Sequence, residues 1–407
     1  NEVTGTIEPE WVQEALAQAD AMRLTRRANK PLKWEEMGPD NVGGRTRAFL
    51  IHRDSGNIWF AGGVSGGLFR SISAGNSWSP VNDRQENLNV NCIAQTANGT
   101  IYYGTGEGGF VNLSGTRNGS PAFLGAGIYK STDNRGVAFT KMTNTNAASF
   151  MQCNSMVAHP TDDKFYVGTE DGIYEFTNNG GTQKKVSVGS IKELKMDKNG
   201  VLWASTGSGS ILKMDGTGAM KQVNATINTG GRTSIGISPE DPNYVYLMGA
   251  SGSGSFSGLF RTTDGGTTWT KLVSYSSITD IFGSNKQGWY DNVVSVDPTN
   301  KNLVFMGGVD LATWDEVNGY RETANTFDAP WNSGYVHADK HMISWDMNTT
   351  PPSIIVGCDG GLFRSKDRKT WTPISRGYTT LQLYNVAANE LGHVVGGAQD
   401  NGTHLIN

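Results

Sequence analysis

The sequence predicts an all-β protein, a β-propeller of about eight four-stranded blades. A short unit, in which an apolar strand is followed by a tight turn and an aromatic residue, recurs in four clear copies. Weaker copies fill the gaps, so the spacing is roughly 40 to 60 residues, which is typical of propeller blades. Gly contributes 53 of the 407 residues and charged residues only 18%, which fits a turn-rich β protein.

The most complete copy runs from Gly258 to Trp269. Its first residues alternate between apolar and polar, as in a strand with one buried face. Asp264 and Gly266 follow in the turn, where a carboxylate can accept backbone N–H bonds and Gly tolerates positive φ. We interpret this pattern, the Asp-box, as structural rather than catalytic. Its residues in the four copies are Ser71 and Trp78; Ser131, Asp133 and Phe139; Thr262, Asp264, Gly266 and Trp269; and Ser365, Asp367 and Trp371.

A small apolar strand ending in Gly precedes most of the units, as in Phe165-Tyr166-Val167-Gly168. The eighth unit stops after its third strand. Residues 33–39 resemble the strand that follows an Asp-box, so we expect them to supply the missing outer strand and close the ring. The alternative is that the chain forms the front part of a larger, ten-bladed propeller.

Two segments differ in character, residues 1–33 and the propeller over 34–407. Residues 9–27 are rich in helix formers, and Trp11, Ala15, Ala19 and Met22 share one face of the predicted helix. We expect this helix to pack on the propeller rim, with a linker after it. A role in binding a partner is the alternative.

Composition excludes several classes of function. The net charge is −4 without a long Lys/Arg run, so no nucleic-acid partner is expected. No apolar stretch reaches about 18 residues, so no membrane span is expected. Cys92, Cys153 and Cys358 are scattered and odd in number, which favours buried free thiols over a disulfide framework. The chain begins with Asn, which we interpret as the sign of a processed chain.

The densest group of candidate ligands is His337, Asp339 and His341. Alternate residues of a strand share a face, so these three side chains would point the same way and could hold a divalent metal. However, residues i and i+4 of a strand lie roughly 13 Å apart, which is far for one ion. We therefore favour a polar network along the central channel and expect no other cofactor.

Asp359 and Asp400 each follow a strand-ending Gly, as Asp310 does, and should lie near one face of the ring. With Asp339 they are the candidates for catalysis, because paired carboxylates that flank a sugar permit glycoside hydrolysis. Their recurrence from unit to unit favours a role in turns instead. Candidates for stacking against sugar rings are Trp289, Tyr290, Trp331 and Tyr335.

Several segments carry a resemblance to a known group: residues 43–48, 62–71, 104–108, 337–341 and 397–403. Together they resemble the secreted BNR/Asp-box repeat propeller proteins of Bacteroidetes. These are similar to sortilin-type ten-bladed propellers and to the propellers of xyloglucan-degrading hydrolases. The resemblance implies export by the type IX secretion route, a secreted or cell-surface location with the signal peptide removed, and carbohydrate binding.

The resemblance does not extend to known catalytic residues. The sequence has no Arg-Ile-Pro segment, which sialidases need. Where xyloglucanases have a catalytic Asp before Gly66-Gly67, this chain has Val64-Ser65. We therefore expect an interaction module without catalysis, which binds a glycan or a protein of the cell surface or secretion machinery. The alternatives are a glycoside hydrolase that uses channel-facing carboxylates, and a structural subunit of a secretion or surface assembly.

Overall fold

The computed structural model describes residues 36–406 except 82–84, 86, 109–122, 228 and 325, together with eight helical positions between Trp11 and Met22. Its described strands form eight antiparallel sheets, each built from one continuous stretch of chain. Seven of these sheets have four described strands and the eighth has three. The prediction of an all-β propeller with about eight sheets is therefore confirmed.

The first seven sheets are called blades 1 to 7, and the last is called sheet 8. Blade 1 comprises β1 (Thr46–Ile51), β2 (Trp59–Gly63), β3 (Gly67–Ser71) and β4 (Ser79–Pro80); blade 2 comprises β5 (Val90–Gln95), β6 (Ile101–Thr105), β7 (Ile128–Ser131) and β8 (Phe139–Lys141). Blade 3 comprises β9 (Cys153–Ala158), β10 (Phe165–Thr169), β11 (Gly172–Thr177) and β12 (Thr182–Val188); blade 4 comprises β13 (Ile191–Met196), β14 (Leu202–Thr206), β15 (Ile211–Met214) and β16 (Met220–Gln222).

Blade 5 comprises β17 (Thr233–Ile237), β18 (Val245–Ala250), β19 (Phe256–Thr262) and β20 (Thr270–Val273); blade 6 comprises β21 (Val293–Asp297), β22 (Asn300–Gly307), β23 (Leu311–Asp315) and β24 (Gly319–Ala324). Blade 7 comprises β25 (Lys340–Asp346), β26 (Ser353–Cys358), β27 (Gly361–Ser365) and β28 (Thr372–Pro373); sheet 8 comprises β29 (Leu383–Ala388), β30 (Val394–Ala398) and β31 (Gly402–Ile406). Short 3₁₀-helices occupy Thr143–Thr145, Ala148–Phe150 and Tyr275–Ser277.

The strand-ending glycines have a packing reason. A Cβ on Gly104 would lie 2.6 Å from the Cβ of Cys153, and one on Gly168 would lie 2.7 Å from Ile191. In both cases the neighbour belongs to the first strand of the next blade. Gly at this position therefore lets consecutive blades approach closely, whereas any residue with a Cβ would collide with the next blade.

Seven blades close the ring. Blade 7 packs on blade 1, where a Cβ on Gly357 would lie 3.1 Å from the carbonyl oxygen of Thr46. The indole Nε1 of Trp78 donates to the carbonyl oxygen of Ile374 at 2.7 Å across the same seam. Trp59, Phe69, Ile355 and other side chains of the two blades form one apolar cluster. The contact between blades 1 and 7 contradicts an open arc of a ten-bladed ring.

Sheet 8 lies outside this ring. Every residue of β29 is exposed, whereas every residue of β26, in blade 7, is buried. The prediction that residues 33–39 would complete the eighth unit is wrong for its described part, 36–39. These residues lie beside Trp78 and Gly377, and Gly377 N–H donates to the carbonyl of Asp40. The seam they approach is already closed by blades 1 and 7, and residues 33–35 lie outside the described part.

The predicted N-terminal helix is present at its described positions, all of which are exposed. Its packing on the rim and the boundary near residue 33 stay predictions. None of the described helices has the length and apolar character required to cross a membrane.

The Asp-box of blade 5 forms a hydrogen-bonded turn. The carboxylate of Asp264 accepts the N–H groups of Thr267 and Thr268, each at 2.9 Å, and the hydroxyl of Thr268 at 2.6 Å. Thr262 Oγ1 accepts the N–H of Gly266 at 3.0 Å. The indole of Trp269 then donates to the carbonyl of Val223 in blade 4 at 2.8 Å. The box thus folds its own turn and ties neighbouring blades together.

Candidate functional site

A central channel of about 510 Å³ runs through the ring. All seven blades line it, through residues in or just before their first strands. Sheet 8 contributes none of the lining. The polar and aromatic residues that line the channel are Arg47, Phe49, Asn91, Asn154, Ser155, Lys192, Glu193, Lys195, Arg232, Ser251, Trp289, Asn292, His341 and Ser344.

Asp359, in the turn between β26 and β27, is the centre of a buried polar network. One of its oxygens accepts from His341 Nε2 at 2.6 Å and lies 3.5 Å from Arg45 Nε. The other oxygen accepts from the Tyr290 hydroxyl at 2.6 Å. These partners outweigh the cost of burial and hold the pKa of Asp359 well below its usual range. Asp359 is therefore ionised, and its oxygens are already engaged.

Glu107 ties the same network to blade 2. It accepts a hydrogen bond from Arg45 at 2.9 Å and forms an ion pair with Arg47, whose Nε lies 2.6 Å from the carboxylate, and its side chain is fully buried. Both guanidinium groups lie over the Tyr290 ring, with centroid distances of 5.2 and 5.3 Å. Four blade-derived segments thus meet in one charge-compensated cluster.

His341 is neutral in this cluster. Burial and the charge of Arg47 lower its pKa to about 3, although Asp359 favours the protonated ring. Arg47 and Arg45 both act on the ring with positive charge, so a further cation at His341 would be repelled. The ring therefore donates Nε2–H to Asp359 as a neutral imidazole.

This assignment predicts that the contribution of His341 to stability is acid-sensitive. In the unfolded chain His341 takes up a proton near pH 6.5, whereas the folded protein resists it down to about pH 3. The contribution of His341 to the free energy of unfolding should therefore fall as pH falls from about 6.5, by about 1 kcal/mol per pH unit. Urea unfolding at pH 7.5, 6 and 5 checks it, because the stability of His341→Gln relative to the parent protein should rise as pH falls.

Asp339, Asp400 and Asp291 oppose this trend, because their raised pKa values stabilise the fold as pH falls. For Asp339, whose pKa is raised to about 6, the gain comes as pH falls from 6 towards 4. The double variant His341→Gln/Asp339→Asn separates the two contributions. An unchanged slope in His341→Gln would contradict the assignment of a neutral His341.

Asp339 and Asp400 lie at the edge of this cluster. Asp339 accepts from Gln287 at 3.0 Å, and burial with the nearby charges of Asp359 and Asp400 raises its pKa. Burial and Asp359 also raise the pKa of Asp400, which lies in the turn between β30 and β31. His337 Nε2 forms a hydrogen bond with the backbone carbonyl of Asp400 at 2.9 Å. This turn therefore connects sheet 8 to the segment that precedes β25 of blade 7.

Asp291 also belongs to this group, although no sequence pattern singles it out. It is fully buried, and neither carboxylate oxygen has a hydrogen-bond partner within the described part of the chain. Burial and the charge of Asp339 raise its pKa well above the usual range. Neither spacing nor composition could signal it, because its environment comes from three different blades.

The structure contradicts the predicted metal ligands. The strand begins only at Lys340, and Asp339 adopts a left-handed backbone with φ of 62°, so alternation along a strand does not apply. His337, Asp339 and His341 bond to three different partners. Among the residues that the structure describes, no group of three or more His, Cys, Asp or Glu side chains could hold a metal ion.

The four predicted stacking residues do not form one surface. Trp289 lines the channel wall and is 49% exposed. Tyr290 is buried beneath the two arginines, and Tyr335 packs edge-on against Phe363 at 5.9 Å. Trp331 is 86% exposed but is not part of the channel lining. Only Trp289 combines an exposed ring with the channel.

A second polar cluster, which the sequence did not single out, lies on the wall of blades 3 and 4. Glu170 accepts from Lys192 at 2.5 Å, from Asn154 at 2.7 Å and from Ser190 at 2.6 Å. Glu193 lies alongside and pairs with Lys195 at 3.0 Å. The cavity that Trp289 lines is therefore also lined by an amide and by paired charges of blades 3 and 4.

Comparison with known proteins supports the fold. No family model and no curated protein matches the chain. Among solved structures, an ancestral GH74 enzyme has a TM-score of 0.66 at 14% identity, over 92% of this chain and 54% of that one. The GH74 xyloglucanase from Xanthomonas campestris has a TM-score of 0.66 at 15% identity, over 92% of this chain and 60% of that one.

A third similar structure is YCF48 bound to D1 peptide, with a TM-score of 0.54 at 13% identity, over 83% of this chain and 99% of that one. Identities this low establish the fold alone. The chain also spans little more than half the length of the two GH74 structures. What these comparisons establish is that the chain has the fold of known β-propeller proteins.

Proposed function

We propose that this protein is a glycan-binding propeller without catalysis, which binds a sugar chain at the channel mouth beside Trp289. The observation that carries the proposal is the exposed indole on the wall of a 510 Å³ channel, with amide and charged side chains around it. Sugar sites in proteins combine an apolar ring face with a few fixed polar groups in a concave site of this size.

The engagement of Asp359 supports the absence of catalysis. A general acid needs a proton near neutral pH, and a nucleophile needs an accessible oxygen. Asp359 has a lowered pKa, is only 2% exposed and accepts bonds on both oxygens. Asp359, one of the three predicted catalytic candidates, therefore fits neither the role of general acid nor that of nucleophile.

A glycoside hydrolase remains the second candidate because of one observation. The pKa of Asp339 is raised to about 6, and that of Asp400 is also raised. Raised carboxyl pKa values beside a buried polar network suit a general acid. The similarity to GH74 enzymes concerns the fold and is compatible with either candidate.

Binding should depend on Trp289. We expect Trp289→Ala to weaken glycan affinity about 10-fold, because stacking of an aromatic ring contributes about 0.5–1.5 kcal/mol beyond burial. A glycan array identifies the ligand, and titration calorimetry measures the loss. Trp331→Ala is the matched control, since its ring is exposed away from the channel, and it should leave affinity unchanged.

The same glycans are screened for hydrolysis. Product formation that Asp339→Asn abolishes would overturn the proposal in favour of the hydrolase. Equal affinity of Trp289→Ala and the parent protein would place the ligand elsewhere. A partner protein recovered without any glycan affinity would favour a structural subunit.

We also propose a secreted or cell-surface location, with export by the type IX route. The resemblance to secreted Asp-box propellers supports this proposal. Fractionation of the native host, with the protein detected by antibody, tests it. Recovery only from the cytoplasm would contradict it.

A further inference from the structure

Two cysteines that are far apart in sequence meet at the interface of blades 2 and 3. Cys92 lies in β5 and Cys153 begins β9, and both are buried. The Cys92 thiol donates to the carbonyl oxygen of Cys153 at 3.3 Å. Both sulfurs lie close to the position that a Cβ on Gly104 would occupy. Cys92 Sγ is 2.7 Å from that position and Cys153 Sγ is 3.3 Å from it.

We propose that Cys92 and Cys153 form an inter-blade disulfide when a small-molecule disulfide enters the central channel. Because the two sulfurs share one small space, modest side-chain rotation can bring them to a bonding distance of about 2.05 Å. Gly104 provides that space, since any side chain there would collide with both cysteines.

The channel provides the route for the oxidant. Cys92 is part of the channel lining, whereas Cys153 lies behind it with its thiol bonded to the carbonyl of Phe150 at 3.3 Å. Cys92 is therefore the attacking residue and Cys153 the resolving one. Cys358 is buried in a different cluster, with blades 6 and 7, and has no part in the pair.

The reaction balances as two thiol–disulfide exchanges. The Cys92 thiolate attacks one sulfur of oxidised glutathione, forms a mixed disulfide and releases one glutathione thiol. The Cys153 thiolate then attacks the Cys92 sulfur and releases the second. The two protein thiols lose two electrons and two protons, and the oxidised glutathione is reduced to two thiols.

Burial should make the exchange slow at neutral pH. It raises the pKa of Cys153 to about 12 and that of Cys92 well above its usual range. The thiolate fraction, and with it the rate, should rise up to about 10-fold per pH unit between pH 7 and 9.

The test uses the full chain, fully reduced and then incubated with oxidised glutathione at pH 8.5. Thiols titrated in denaturant should fall from three to one, with the protein monomeric on a non-reducing gel. Peptide mapping should show Cys92 linked to Cys153, and reduction should restore three thiols. In the Cys358→Ser variant the two remaining thiols, Cys92 and Cys153, should both be lost in the same way. The Cys92→Ser variant should form no intramolecular disulfide.

Three thiols remaining after incubation would overturn the proposal. So would a stable glutathione adduct on Cys92, or a disulfide between two chains. The parent protein and Cys358→Ser suffice for the decision if Cys92→Ser does not fold. The proposal is independent of the proposed glycan binding, which can fail without affecting it.

Discussion

Replacing Asp359 by Ala is expected to lower the free energy of unfolding by about 3–5 kcal/mol. The carboxylate is the shared partner of Arg45, His341 and Tyr290 in a buried network. Its removal takes away one of the two buried carboxylates that Arg45 contacts, the other being Glu107. A buried guanidinium without sufficient compensation is far more costly than the loss of one exposed ion pair.

The matched control is Asp310→Ala. Asp310 lies at the corresponding place in blade 6, between β22 and β23, but it is partly exposed. Its loss should cost under about 1 kcal/mol. Urea unfolding at pH 7.5 measures both variants, and equal losses would show that the network contributes nothing specific. Asp359→Asn should lie between the two, because it keeps the shape and loses the charge.

The sequence predicted the units but not their arrangement. The Asp-box and the strand-ending glycines predict each blade because their roles are local. Asp264 folds the turn of its own box, and Gly104 allows the close approach of the next blade. Which blades meet across the seam depends on contacts between residues about 300 positions apart, such as Trp78 and Ile374. Periodicity alone counts sheet 8 as another blade, because its strands carry the same pattern.

The candidate site shows the same difference between local patterns, which the sequence reveals, and contacts between distant residues, which it does not. Asp359 could be selected because acids recur after the strand-ending Gly, and His341 because it belongs to the densest group of candidate ligands. The structure brings the two together. Arg45 and Glu107 could not be paired with Asp359 from sequence, since they come from other blades. The prediction that His337, Asp339 and His341 share a strand face was wrong because the chain bends at Asp339, where φ is positive.

Trp78→Ala is the second substitution with a large expected effect, a loss of about 3–5 kcal/mol. Trp78 follows the Asp-box of blade 1 and is only 5% exposed. It packs 5.8 Å from the ring of Tyr378, and its indole donates to blade 7. Truncation would leave a cavity and an unpaired buried carbonyl at Ile374.

Because this cavity lies at the seam between blades 1 and 7, the loss of stability should affect the closure of the ring as well as the packing around Trp78. The other blades are joined to their neighbours by the continuous chain, whereas the seam joins the first blade to the last by side-chain contacts and a few hydrogen bonds. Opening it exposes the cluster around Trp59 and Ile355. Amide hydrogen exchange in β1 and β26 should therefore accelerate more than in β17 and β18 on the far side of the ring.

Leu405→Ala in sheet 8 is the control for this effect, because its side chain is 66% exposed and lies outside the ring. It should leave both the unfolding free energy and the exchange in β1 unchanged. Trp78→Phe keeps most of the packing and removes the bond to Ile374, so its loss should be about 1 kcal/mol. Uniform acceleration of exchange around the ring in Trp78→Ala would mean that the seven blades unfold as one unit rather than from the seam.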